Sequence, residues 1–333
     1  MTLTGTYNCI SPFANLFLKK DYGLEFDDSR LVYLSVDLQM ELYPDISSMT
    51  PWNHFGRKNI GYLYAIHAGA QQIWDFDDDN TGIADIDEII GEDARIVCSN
   101  SSIINPYMYF GVNETISWPR GLPLDHVRDV STFNFPLCNH TIDPSNLAVV
   151  QSLADIEPDV DGIYRLTRTT PFNFTGQPGP LVIPHGSFAP FNAQATMWFK
   201  KAFVFMFLPT TVHGRVSDIW RSYIAEYFMP LLNANVVFTR PYVYQQRNAH
   251  NFLGDFQSES DLYLKAPGLL SYLHSRPISD SPYPIHEALH LYVDLYEHDI
   301  VEENDIILFT LWLKYLGLSP AQSHLDVVTG LNQ

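Results

Sequence analysis

Three consecutive carboxylates, Asp77, Asp78 and Asp79, close a short apolar run, and any fold of this chain has to accommodate them. Residues 71 to 80 read Gln-Gln-Ile-Trp-Asp-Phe-Asp-Asp-Asp-Asn. Ile73 to Phe76 has the β-branched and aromatic character of a buried strand, interrupted by Asp75. Like charges side by side repel unless a cation binds them. Mg²⁺ and Mn²⁺ take oxygen ligands and supply that charge. Asp77 and Asp79 are two apart, so at a strand end they project to one side and can share an ion. The plainer alternative is a solvated acidic turn.

The segments before this run supply a context for it. Leu31 to Val36 reads as a buried strand, and Pro44 to Asn53 as a loop. Arg57 to Ala68 reads as a helix with Ile60, Leu63, Tyr64 and His67 on one face and Gly69 as its C-cap. Strand, helix and acid-tipped strand make a β-α-β unit, which predicts parallel strands with a ligand crevice at their carboxyl ends. Gly56-Arg57-Lys58-Asn59 places two cations at the helix start, a natural phosphate site that the helix dipole would otherwise disfavour. Phosphates and a metal at a β-α-β crevice read as a nucleotide-sugar site.

Further along, Cys98 to Pro180 is loop-rich, with Gly162 to Thr167 as a strand inside it. Pro184 to Ala195 is loop, and Ala202 to Leu208 reads as a strong strand. A helix is expected from Ile219 to Leu232, capped by Ser217 or Asp218. Asp218 is also placed where a crevice residue would stand, and a carboxylate there can accept a proton from an acceptor hydroxyl. Leu262 to Leu273, His286 to His298 and Asp305 to Leu316 read as helices. The chain has no internal repeat and no low-complexity tract.

With 333 residues, 46% hydrophobic, the chain can bury a large core. A net charge of −19 argues against nucleic acid as a partner, although 19 Lys and Arg leave room for a local basic pocket. There are three cysteines and no C-x-x-C, which excludes a cysteine zinc site; Cys98 and Cys138 are the nearest pair for a disulfide. Sequons at Asn100, Asn113, Asn139 and Asn173 suggest a lumenal or extracellular compartment. Met1 to Lys20 does not read as a signal peptide and no 18-residue apolar run occurs, so a targeting segment is expected outside this sequence.

Two rival motifs compete for the chemistry. Residues 77 to 88 fit a calcium EF-hand loop, with Asp at positions 1, 3 and 9, Gly at 6 and Glu at 12, but the flanks are not helical in pattern and no second hand exists. His286-Glu287-Ala288-Leu289-His290 is an H-E-x-x-H, which on a helix could bind zinc with Glu287 as base. Its metzincin continuation fails at Val293 and Tyr296, and His324 or Asp326 are the only late third ligands.

Several stretches together resemble the STELLO-type glycosyltransferase-like family. They are Pro51 to Ile66, Gly69-Ala70, Asp75 to Asn80, Asn192 to Thr196, Leu208 to Val212, Arg215 to Arg221 and Arg247 to Asn251, in the same order and spanning about Leu31 to Leu264. The resemblance implies an α/β, GT-A-like (Rossmann-like) nucleotide-diphospho-sugar transferase fold, a nucleotide-diphosphate-sugar donor, Mn²⁺ or Mg²⁺, and a Golgi-lumen setting. Asp77 and Asp79 would hold the metal, with His250 as a late addition. Arg57, Lys58 and Asn59 would lie near the donor phosphates. Asn192, Gln194, Arg215 and Arg221 would line the donor and acceptor side, with Asp218 the catalytic base. Neither the family's first nucleotide-binding strand nor its membrane anchor is read in residues 1 to 30, which are expected to be an extension or a truncated start.

The expected organisation is therefore a GT-A-like domain over residues 31 to 262 and a helical C-terminal extension over 263 to 333. The expected reaction is metal-assisted sugar transfer to a glycan or glycoprotein acceptor. In another class, the chain would be a non-catalytic lumenal scaffold for other Golgi glycosyltransferases.

Overall fold

The computed structural model describes residues 2–3, 32–77, 79–82, 93–111, 116–168, 170–176, 178–246, 251–277 and 284–318. Its centre is a mixed sheet of β1 (Thr2–Leu3), β2 (Gln72–Phe76), β3 (Asn80–Gly82), β4 (Asp93–Val97), β5 (Leu137–Thr141), β6 (Leu147–Asp155), β7 (Leu181–Ile183), β8 (Ala195–Phe199) and β9 (Asn235–Gln245). The strand order is β1-β2-β8-β6-β9-β7-β4-β5, with β3 paired to β9. β1 runs parallel to β2, β6 to β9 and β4 to β7, and the other pairs are antiparallel. β6 and β9 sit at the middle of the sheet, and β6 is buried along nearly its whole length. That burial on both faces accounts for its unbroken Leu-Ala-Val-Val run.

Ten helices are described: α1 (Val36–Leu42), α2 (Pro44–Met49), α3 (Lys58–His67), α4 (Pro106–Phe110), α5 (Gly162–Thr167), α6 (Gly214–Leu232), α7 (Phe252–Ser258), α8 (Ser260–Ser275), α9 (Pro284–Glu297) and α10 (Glu303–Tyr315). The mixed α/β class is as the sequence predicts, and so are α3, β2 and the late helices. Gly69, just past α3, takes a φ of 88°, the left-handed geometry of a helix end.

Five expected elements are different. Pro44 to Asn53, expected as a loop, opens with the helix α2, where Pro44 sits in the first turn and its missing N–H costs no hydrogen bond. Residues 32 to 35 are irregular, and Ser35 starts α1 by accepting from the Leu38 N–H, so Val32 to Val36 is not a strand; Leu31, the first residue of the expected run, lies outside the described residues. Val32, Tyr33 and Val36 are exposed, and an apolar run without a burial partner has no reason to extend. The parallel partner of β2 is instead β1, earlier than any strand read from the sequence. Gly162 to Thr167 is helical because Asp161 caps it through the Tyr164 N–H. Gly162 also lets α7 approach, since a Cβ there would meet the Phe256 N at 2.6 Å. Lys200–Met206 is a 3-10 helix, not a strand; the strand lies just before it at β8. A short, fully buried apolar run carries no period that separates these two outcomes. Finally, α6 begins at Gly214 under a His213 cap, which puts Ser217 and Asp218 inside the helix.

The helices after residue 262 share the main core. The Phe207 ring contacts those of Tyr292, Phe309 and Trp312, and Asp305 at the start of α10 accepts from the N–H and hydroxyl groups of Thr210 and Thr211. α8 itself runs across residue 262. Cys98 and Cys138 form a disulfide that closes one end of the β4–β5 pair. Among the described residues no helix is long and apolar enough to cross a membrane.

Candidate functional site

The acidic run, the α3 start and the loop before β8 converge on one buried polar network whose hub is Asn192-Ala193-Gln194. Asp75 is fully buried in the middle of β2, where an isolated charge would be prohibitive. It is matched: Lys58 Nζ donates to its Oδ1 at 3.0 Å, and the Tyr62 hydroxyl (2.5 Å) and Arg221 Nη1 (3.2 Å) donate to its Oδ2. Lys58 also donates to Asp77 Oδ1 at 3.1 Å and to the Ala193 carbonyl at 3.2 Å. Burial opposes the Lys58 charge, but Asp75 and Asp77 outweigh it and hold the ammonium protonated. Arg221, itself fully buried, lies over the Trp198 ring and reaches the Asn192 carbonyl. Two carboxylates and two cations thus balance.

Beyond Phe76 the chain leaves the strand and turns, the Asn80 N–H donating to the Asp77 carbonyl at 3.2 Å. Gln194 holds both ends of this turn. Its carbonyl accepts from the Asp77 N–H (3.2 Å) and from Asn80 Nδ2 (2.9 Å). Its side-chain amide donates to Asn80 Oδ1 (3.2 Å) and to Gln245 Oε1 (2.6 Å). Gln245, at the end of β9, donates in turn to both oxygens of Asp79 at 3.0 and 2.9 Å. Asp77 keeps about a third of its side-chain surface (34%) open to solvent, which an ion would need for entry. Burial pushes its carboxyl up to about 6, with Asp75 and Asp79 adding to the shift and Lys58 opposing it.

On the other side of the hub Arg120 is clamped between two carboxylates. Its guanidinium donates to both oxygens of Asp159 (2.9 and 2.8 Å) and both of Asp218 (2.9 and 2.7 Å). Asn192 Nδ2 donates to Asp159 at 2.8 Å, and the Asn192 Oδ1 accepts from Gln151 at 3.1 Å. A narrow cleft of about 10 Å³, room for one water, opens here, lined by Arg120, Gln151, Asp159, Asn192, Gln194 and apolar neighbours. Asp159, not Asp218, is the carboxylate on its wall. Asp218 faces Arg120 from behind, with further donors from the Ala193 and Ile219 N–H groups.

Of the residues singled out in the sequence, the fold brings together Lys58, Asp77, Asp79, Asn192, Gln194, Asp218 and Arg221. Three others have structural partners elsewhere. Arg57 stacks on Trp52 and donates to the Ser47 and Thr50 carbonyls and to Gln39, tying α1 and α2 to α3. Asn59 is buried and exchanges two hydrogen bonds with the Leu208 backbone. Arg215 pairs with Glu259 and Asp255, joining α6 to α7 and α8. His250, Asp78 and most of the EF-hand stretch lie outside the described residues. In the H-E-x-x-H, Glu287 is half of a buried ion pair with Arg276 and His290 is exposed, so a water-activating base is not presented there. Among the described residues no cluster of three or more His, Cys, Asp or Glu is arranged as a metal centre. Tyr62, Arg120, Gln151, Asp159 and Gln245 belong to the site without any local signal in sequence. Only Asp75, a charge inside an apolar run, announced itself.

Residues 215–321 match the sequence profile described as STELLO glycosyltransferases. The chain is 30% identical over 278 residues to "Probable glycosyltransferase STELLO2" of Arabidopsis thaliana, covering 78% of this chain and 35% of that protein. It is 28% identical over 277 residues to "Probable glycosyltransferase STELLO1" of the same plant, covering 76% of this chain and 34% of that one. The chain therefore spans about a third of the length of the curated relatives it matches. By these sequence matches, the chain belongs to the STELLO-type glycosyltransferase-like family.

Proposed function

We propose that this chain carries the donor site of a metal-dependent glycosyltransferase that works on glycan or glycoprotein acceptors in the Golgi lumen. The observation that supports this reading is the Asp77–Asp79 turn, partly open to solvent and pinned from both sides by Lys58 and by the Gln194–Gln245 relay. Asp77, Asp79 and the amide oxygens beside them are hard oxygen donors, a set suited to Mn²⁺ or Mg²⁺. Asp77 and Asp79 would hold the ion, which when bound neutralises the charge of a departing nucleoside diphosphate. Lys58 holds Asp77 in place and sets the charge of the site; it is too deeply committed to Asp75 to reach a phosphate. Arg120, Asn192 and Gln194 would line the sugar side of the cleft, where a sugar hydroxyl has to replace one of the protein acceptors their N–H groups now hold. Asp159 is the carboxylate placed to meet an acceptor hydroxyl, and Asp218 acts through Arg120.

A second reading, a non-catalytic scaffold for other Golgi glycosyltransferases, is favoured by one feature: both oxygens of Asp79, of Asp159 and of Asp218 are already occupied by protein donors. Calorimetric titration with uridine and guanosine diphosphates, with and without Mn²⁺, separates the two. Metal-dependent binding of either nucleotide supports the donor site. Absence of binding in folded protein supports the scaffold.

A further inference from the structure

The far edge of the sheet bears a sequon in an unusual place. β5 is the last strand in the order, paired to β4 on one side only among the described residues. Four of its five residues are exposed, Leu137 among them. An open strand edge of this kind is a template for pairing with another chain unless something blunts it. β5 holds no Pro, no Lys and no bulge. It does hold Asn139 and Thr141, the first and third residues of Asn-His-Thr. Being two apart on a strand, they share one face, and both are exposed. Asn139 Oδ1 accepts from Arg95 across the ladder, so its oxygen is used while its Nδ2 has no partner among the described residues. At the same corner stands the exposed Asn100 of Asn-Ser-Ser, two residues past Cys98. Cys98 and Cys138 are joined, a bond that persists in oxidising compartments.

We propose that Asn139 and Asn100 are N-glycosylated and that the glycans cap the open β5 edge. In the transfer, Asn139 Nδ2 bonds to the anomeric carbon of a lipid-linked oligosaccharide diphosphate. The anomeric carbon–oxygen bond breaks, the lipid diphosphate leaves with the electron pair, and the amide proton passes to a base of the transferring enzyme. The linkage leaves Asn139 Oδ1 in place for Arg95. A bulky, hydrated glycan in the middle of a short edge strand denies the edge to a second chain. This inference rests on the lumenal setting proposed above and not on sugar transfer.

The test is glycopeptide mass spectrometry, before and after peptide N-glycosidase, on the chain secreted from eukaryotic cells, with the Cys98–Cys138 state read in the same digest. Glycan on the Asn139 and Asn100 peptides, with the disulfide closed, is the expected result. N139Q keeps an amide oxygen for Arg95 and is expected to lose one glycan and to self-associate several-fold more readily than wild type. The same pair made in bacteria, which lack the modification, should self-associate equally. Unmodified Asn139 in the secreted chain overturns the proposal, as does reduced Cys98 with no glycan at any sequon. Equal self-association of secreted N139Q and wild type overturns the capping role. Nucleotide binding should be the same in all of these proteins, so failure here leaves the donor-site reading standing, and the reverse.

Discussion

Replacing Asp75 by Asn isolates the electrostatic logic of the site. The change is nearly isosteric, so packing is kept, but it removes one of four charges in a balanced group. Lys58 retains Asp77. Arg221 loses its carboxylate and keeps only the Tyr62 hydroxyl at 3.2 Å and the Asn192 carbonyl at 3.4 Å, while its side chain stays fully buried. The new Asn amide nitrogen must also face one of three donors. Leaving a buried charge uncompensated costs about 3–5 kcal/mol. Removing that charge as well, in D75N/R221M, leaves the Lys58–Asp77 pair neutral. The double variant should then be less destabilised than the sum of its singles by about 2 kcal/mol, within the range for contacting groups. Urea unfolding followed by tryptophan fluorescence measures this, read as midpoints at unchanged slope. A D75N cost below about 1 kcal/mol, or additive singles, would refute the balance of charges as the reason these residues coexist.

The remaining expectations are briefer. Asn59→Ala strands the buried Leu208 N–H and carbonyl and should cost about 2–4 kcal/mol in thermal or urea unfolding, with nucleotide binding retained at temperatures where the variant is folded. Cys98→Ser opens a loop of 40 residues and should cost about 4 kcal/mol on the chain-entropy argument, seen as a lowered unfolding midpoint under non-reducing conditions. Asp77→Ala or Asp79→Ala should abolish Mn²⁺-dependent nucleotide binding while His286→Ala leaves it unchanged; calorimetric binding by both Asp variants would remove the metal-site argument. Asp77 titrates at about 6, above its ordinary 3.8, so protons compete with a metal ion there. Mn²⁺ affinity should rise as pH rises through about 6 and fall roughly tenfold per unit below it. The metal-free chain should show the opposite trend from this group. Its contribution to stability is fully present below the ordinary value and is lost as pH rises through about 6.

What could be read in the sequence follows from the range of the interactions involved. α3, with its period and its Gly69 end, and β2, with its acid tip, are local patterns, and both are found. So is the Cys98–Cys138 pair. Lys58, Asp77 and Asp79 were legible because charges in odd places need partners. Arg57 and Asn59 stand beside Lys58 in sequence, but on a helix neighbours face different ways, and their partners are the carbonyls of α2 and the backbone at Leu208. Asp218 was read as a crevice base or a cap because nothing local reveals Arg120, 98 residues earlier, which takes both its oxygens. Gln151 and Gln245 are polar residues in strands, unremarkable until β6 and β9 are placed side by side. The Ala202 to Leu208 run was ambiguous in principle: buried on all sides, a strand and a 3-10 turn look alike.

The middle of the sheet also dictates an order of assembly. β6 waits for β9, whose residues begin at Asn235, before its parallel partner exists, and β2 waits for β8 at Ala195. Thr210 and Thr211 then wait for Asp305. Such distant pairings make loop closure, not local helix formation, the slow event. As the chain emerges from the ribosome, the apolar β6 run is made long before anything can cover it. A chain truncated ahead of Asn235 would present that run with one side of its ladder empty, and should be bound by chaperones until the missing strand arrives.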